Sequence, residues 1–289
     1  ADTTAAEGGA DTTAAEGGAE TTAAAGGGGG EVLSALQESG TVTVGIANEV
    51  PYGFEDAEGN VTGEAPEVAK VVLAELGIDN MEASVVEFGA LIPGIQADRF
   101  DMIAAGMFIT PERAEQIIFS DPDYCVSEAF AVAEGNPNGL TDYQSVIDSG
   151  ANIAVMRGAV EDGYAVDIGV PDDQITRFDD VNAQYDAMAA GRVDAVTGTR
   201  LTVETQAEER EGMEATEGFF PVIDDVEQLG CGGFGFTDQG FRDAFNEVLH
   251  AKQEDGTVEE IVTGFGFTPE EVQAAADTTV EELLEQLGG

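Results

Sequence analysis

From Glu31 onward, short apolar runs alternate with amphipathic stretches. Thr41–Ala47 alternates Thr and Val, the period of a half-buried strand. Gly63–Leu76 places Val68, Val71, Val72 and Leu76 on one helical face, with Gly77 as its stop. Ala83–Glu87 reads as the next strand and delivers Phe88; Leu91–Ala97 reads as a helix. Met102–Ala105 is an apolar run bounded by Asp101 and Gly106. Thr110 and Pro111 then read as a helix N-cap with proline in the first turn. The order βαβαβα predicts an α/β fold, a mostly parallel sheet with helices on both faces.

A second series follows. The strand Phe130–Ala133 runs into Gly135-Asn136-Pro137-Asn138-Gly139, where the chain is expected to cross into another lobe. Helices are expected over Asp142–Asp148, Asp162–Ile168, Val181–Ala190 and Leu201–Glu209, and strands over Ile153–Val155, Ile175–Phe178 and Val193–Thr197. Gly230–Phe236 reads as the return crossing, and Phe241–Glu254, Val258–Phe265, Pro269–Ala276 and Val280–Leu287 as helices. The expected division is 31–133 plus 233–289 for lobe one and 134–232 for lobe two. Ligands of open α/β sheets sit beyond the carboxyl ends of the strands. Those ends carry Glu49, Tyr52, Phe88, Phe108 and Arg113 in lobe one, and Gly158–Glu161 and Thr197–Thr199 in lobe two. The expectation is two lobes with a ligand cleft between them.

Composition narrows the partners. The 289 residues include 58 acidic and 10 basic ones, a net charge of −48. That charge repels nucleic-acid phosphates and anionic lipid. Acids dispersed along the chain suit a solvated surface in high salt, where carboxylate repulsion is screened. No apolar run approaches a membrane span. Residues 1–30 repeat ADTTAAEGG twice, then AETTAAAGG, then glycines. Nothing there can bury surface, so a disordered acidic tether is expected, moored through the N-terminus outside the cytoplasm. No basic and apolar leader stands at Ala1, so a signal peptide is expected to be absent or removed.

One histidine, His250, and two cysteines, Cys125 and Cys231, exclude a Cys/His zinc site and leave no metal or cofactor set. His250 lies in a helical pattern, FNEVLHAKQEDG, and reads as a surface or partly buried helical histidine, which weakens Ser/His/Asp and Cys/His catalysis. The cysteines are either one bridge in an exported protein or buried thiols in a cytosolic one; the bridge is favoured. Arg113 stands beside a helix start, which prefers anions. Its planar fork of donors suits a carboxylate gripped at two points.

The segments VTVGIANEVPYGFEDAEGNVTGEAPEVAKVV, FGALIPGIQADRFDMIAAGMFITPERAEQIIFSDPDY, AAGRVDAVTGT and GFGFTDQGFRDAFNEVL carry a family resemblance over roughly Thr41–Phe267. The chain resembles the extracellular solute-binding proteins of ABC importers, family 3, the amino-acid-binding type. NEVPYGF, GEAPEVA, EFGALIPG and AAGMFITPERAEQ make it most similar to the ectoine- and 5-hydroxyectoine-binding proteins. The resemblance implies a type II periplasmic-binding-protein-like fold, a monomer, that captures a zwitterionic solute and delivers it to ABC permease subunits.

The departures are specific. Amino-acid binders of this family usually carry Ser or Thr where this chain has Phe108, and an Asp for the α-ammonium where it has Thr199. They usually have Gly-Ser/Thr-Ser/Thr at Gly158-Ala159-Val160. The family arginine, Arg113, is kept. The resemblance implies an aromatic box of Tyr52, Phe88 and Phe108 around a delocalised amidinium, each ring contributing up to ~2 kcal/mol. Glu49 would accept a ring N–H, Arg113 would clamp the carboxylate, and Glu161 would add a second acceptor from lobe two. Phe54 competes with Tyr52 for its role, and Asp162 with Glu161. Two other readings stand beside this one: the same class with a polar or cationic amino acid or a betaine, and an enzyme on the same scaffold using Glu49 and Glu161 as acid and base.

Overall fold

The computed structural model describes residues 29–288. The expected tether lies outside the described residues, apart from its last two, which open the first helix, Gly29–Ser39.

Two mixed sheets form the frame. In the six-stranded first sheet, Thr41–Ile46 pairs in parallel with Asn80–Val85 and with Met102–Phe108. Gly230–Phe236 joins antiparallel to Met102–Phe108 and also carries Ile118–Phe119 and Tyr124–Val126. The second sheet runs Ile175–Phe178, Ile153–Met156, Ala195–Thr199, Glu128–Ala133, Met213–Ala215. Its first three strands are parallel and its last two close the edge antiparallel.

Met102–Phe108 shows why the first sheet sits between two helical layers. Met102, Ala104 and Phe108 pack with Val68, Val72, Phe241 and Phe245 on one face. Ile103, Ala105 and Met107 pack with Leu91, Ile95, Val280 and Leu283 on the other. A strand buried on both faces reads as a continuous apolar run rather than an alternation, as here. The second sheet is likewise covered on both faces.

Two expectations are corrected by strand pairing. The strand expected at the end of lobe one, observed as Glu128–Ala133, pairs with Ala195–Thr199 and Met213–Ala215 and so belongs to the second sheet. Gly230–Phe236 is no crossing: it is a wholly buried strand of the first sheet. The chain therefore leaves lobe one near Ser127 and returns just before Gly230, not at 133/134 and 232/233. Local sequence cannot reveal this, because a strand's partners lie far away in the chain. Cys125 and Cys231 face each other in register at this junction and form a disulfide.

Candidate functional site

Each site residue is held by local chemistry. Glu49 sits in a tight loop closed by paired backbone bonds with Gly53, 3.0 Å each. That loop turns Tyr52 inward. The Tyr52 ring lies against Gly106, which adopts φ +61° and has no room for a Cβ against that ring. Gly230 likewise leaves space for the Phe108 ring. Thr110 caps the helix Pro111–Ala114 by accepting from the Arg113 amide. Arg113 then folds back: Nη1 donates to the Phe108 carbonyl at 2.7 Å and Nη2 to the Gly158 carbonyl of lobe two at 3.0 Å. Its guanidinium carbon lies 5.4 Å from the Phe88 ring centre. A guanidinium has five N–H donors, so donors remain for a ligand.

All six residues singled out in the sequence line one narrow cavity of about 30 Å³: Glu49, Tyr52, Phe88, Phe108, Arg113 and Glu161. Met156, Ala159, Val160 and Thr199 complete its lobe-two wall. Phe54 instead pairs with Thr62 in a hairpin, and Asp162 binds Arg177 at 2.8 Å. Thr199 accepts from the Thr202 amide as a helix cap.

The lobes meet around this cavity. The Thr202 hydroxyl of lobe two donates to Glu49 Oε1 at 2.8 Å. A Cβ on Gly158 would stand 2.8 Å from the Gly89 Cα, so these two glycines let the backbones touch. Arg200 grips Glu271 at 2.8 and 2.9 Å from across the junction.

The electrostatics are unbalanced toward acid. Burial pushes Glu49 up to about 7; the Thr202 hydrogen bond opposes this and the Glu161 charge adds to it. Burial also raises Glu161, against its backbone hydrogen bond and Arg113. Burial pulls Arg113 down, and Glu161 holds it up. A buried carboxylate without a cation is costly, so the cavity favours a ligand that brings positive charge to Glu49 and Glu161 and a carboxylate to Arg113.

The sequence reading missed Thr202 and Glu128. Thr202 follows Thr199 by one helical turn, a spacing that gives no hint of a partner across a cleft. Glu128 left a signal: it is the one charge in the otherwise apolar EAFAVA strand, and it is buried.

Residues 42–268 match the bacterial extracellular solute-binding proteins, family 3. The chain belongs to that family. It is 37% identical over 260 residues to a probable amino-acid ABC transporter periplasmic-binding protein of Sinorhizobium fredii, covering 88% of this chain and 86% of the relative. It is 25% identical over 250 residues to the lysine/arginine/ornithine-binding periplasmic protein of Escherichia coli, covering 79% and 87%. The crystal structure of EhuB in complex with hydroxyectoine superposes with a TM-score of 0.79 at 34% identity, covering 87% of this chain and 96% of EhuB. The protein is thus a family 3 solute-binding component of an ABC transporter, acting outside the cytoplasm. No helix among the described residues is long and apolar enough to cross a membrane.

Proposed function

We propose that this solute-binding protein captures ectoine or 5-hydroxyectoine in the inter-lobe cavity and hands it to its permease. The observation that carries the reading is the shared cavity: three aromatic rings, two carboxyls and one guanidinium line the same small space. A flat cyclic amidinium is a soft cation suited to ring faces. Its N–H groups suit Glu49 and Glu161, and its carboxylate suits the free donors of Arg113. The likeness to hydroxyectoine-bound EhuB supports the same choice. Thr199, occupied as a helix cap, offers no carboxylate to a primary α-ammonium. Meeting of the lobes over the solute would create the surface that the permease reads.

A cationic amino acid is the second reading. Glu49 and Glu161 together could hold an ammonium or guanidinium, and a lysine/arginine/ornithine binder is among the relatives. Calorimetric titration with ectoine, hydroxyectoine, arginine and glutamine in high salt separates the two. Saturable binding of the ectoines alone upholds the proposal; binding of an amino acid alone replaces it with the second reading.

A further inference from the structure

We propose that Glu128 is a positioning residue of this site: it keeps a proton, donates it in a hydrogen bond to Glu161, and so makes Glu161 the anion that meets the solute's cationic group. The inference rests on the reading of the cavity as a site for a solute that carries a cation.

Glu128 begins the strand Glu128–Ala133, in register with Thr199, which lines the cavity. It is 2% exposed, and neither of its carboxyl oxygens meets a hydroxyl or amide donor. Its neighbour is the Glu161 carboxyl, close enough that the two act on each other's protonation. Glu161 is 6% exposed, and its Oε2 has no donor either. Two ionised carboxylates are both acceptors and repel at this range. The contact is a hydrogen bond only when one of the two holds a proton, the familiar outcome for carboxyls sharing a buried site.

The surroundings decide which one. Around Glu128 stand Glu161 and Glu49, both acidic, and the phenols of Tyr52, Tyr143 and Tyr164, which burial keeps protonated. Glu161 faces Glu128, Asp162 and Arg113. Asp162 is already bound by Arg177, and Glu112 acts on Arg113 and Tyr164. Arg113 is therefore the cation of the group, and it stands beside Glu161. Negative charge settles on Glu161 and the proton on Glu128. Burial and the neighbouring carboxylates push Glu128 well above the usual carboxylate range, while Arg113 and the Glu128 hydrogen bond draw Glu161 back down.

The arrangement also has a sequence in time. Glu128 and Glu161 both belong to lobe two, so the pair stands whether or not the lobes meet. Arg113 and Glu49 arrive from lobe one. Their arrival fixes the shared proton on Glu128 and leaves Glu161 as the anion that meets the solute. Ionising Glu128 would put a second negative charge behind Glu161, with no cation beside it.

Isotope-edited infrared spectroscopy of the glutamate carboxyls tests this at neutral pH, with and without ectoine. Wild-type protein should show a protonated-carboxyl stretch, shared with buried Glu49 and Glu64, whose intensity Glu128→Gln lowers by one carboxyl. Glu128→Ala, with no donor, should bind ectoine at least about tenfold more weakly than Glu128→Gln. Equal protonated-carboxyl signals in wild type and Glu128→Gln overturn the inference even if ectoine binds well. Absence of ectoine binding overturns the solute reading, while the signal in the unliganded protein still decides the state of the pair.

Discussion

Arg113 of lobe one donates to the Gly158 carbonyl of lobe two across 3.0 Å. One guanidinium thus ties the lobes together and presents its remaining donors to the cavity. Its position depends on the Thr110 cap and the Phe108 carbonyl, both local to its own turn. Arg113→Ala should weaken solute binding by about 2–5 kcal/mol, the range for removing one partner of a buried charged contact. Arg113→Lys should recover only part, because an ammonium is a point charge without the planar fork. Calorimetry checks both; a Kd within a few-fold of wild type would remove Arg113 from the carboxylate role.

Phe108 has two functions that a substitution must separate. It packs against Gly230 and the Tyr124 ring, whose centre is 6.3 Å away, and it also walls the cavity. Phe108→Ala would open a core cavity at a stability loss of about 3–5 kcal/mol. Phe108→Leu keeps much of the volume and removes the ring face. It should stay folded yet bind the solute about five- to thirtyfold more weakly, the value of one desolvated cation–π contact. Unchanged affinity in a normally melting Phe108→Leu would show that this ring does not touch the cation.

Stability should rise on mild acidification from neutral pH. Burial pushes Asp123 from 3.8 to about 6 and Glu49 from 4.5 to about 7. Glu64, fully buried, is also raised well above the usual carboxylate range by burial and by the Asp123 charge. These acids bind protons more tightly folded than unfolded. Their contribution is fully present below the unfolded values and is lost as pH rises through about 6 to 7. The thermal midpoint at constant salt should therefore fall from mildly acidic to mildly alkaline buffer. Glu64→Gln should raise the midpoint at neutral pH and flatten the profile. A profile that climbs across this range would contradict the buried-acid account.

The Cys125–Cys231 bridge closes a separation of 106 residues, which spans the whole of lobe two. It joins neighbouring strands where the chain leaves lobe one and returns. Cys125→Ser with Cys231→Ser should lower stability by about 2–5 kcal/mol, as expected for a cross-link over a long loop. Denaturant titration measures this. Two free thiols in the unreduced native protein would mean that the bridge does not form in solution.

The net charge of −48 should make the fold depend on salt. Screening shortens the Debye length from ~30 Å at 0.01 M to ~3 Å at 1 M, which removes most surface repulsion. The thermal midpoint should climb steadily with sodium chloride concentration, and a flat response would remove high-salt adaptation as the reason for the acidic surface.

Much of the frame was legible because it is local. Valine spacing on the helix Glu64–Glu75, the apolar run at Met102 and the Thr110-Pro111 cap act within one or two turns. Arg113 was legible as a scarce cation in an unusual place. Glu128 was not singled out, because a lone charge in a strand declares neither its burial nor its neighbour.

The sequence by itself determined the alternation of strands and helices, the acidic surface and the residue types at the strand ends, since each follows from short-range spacing and composition. The tertiary structure decided what depends on residues distant in the chain. It put Glu128–Ala133 into the second sheet and made Gly230–Phe236 a central strand. It chose Tyr52 over Phe54 and Glu161 over Asp162 for the cavity wall, and set Thr202 against Glu49. Strand pairing and lobe contact are long-range: their energy comes from burying surfaces and matching hydrogen bonds that no short stretch contains.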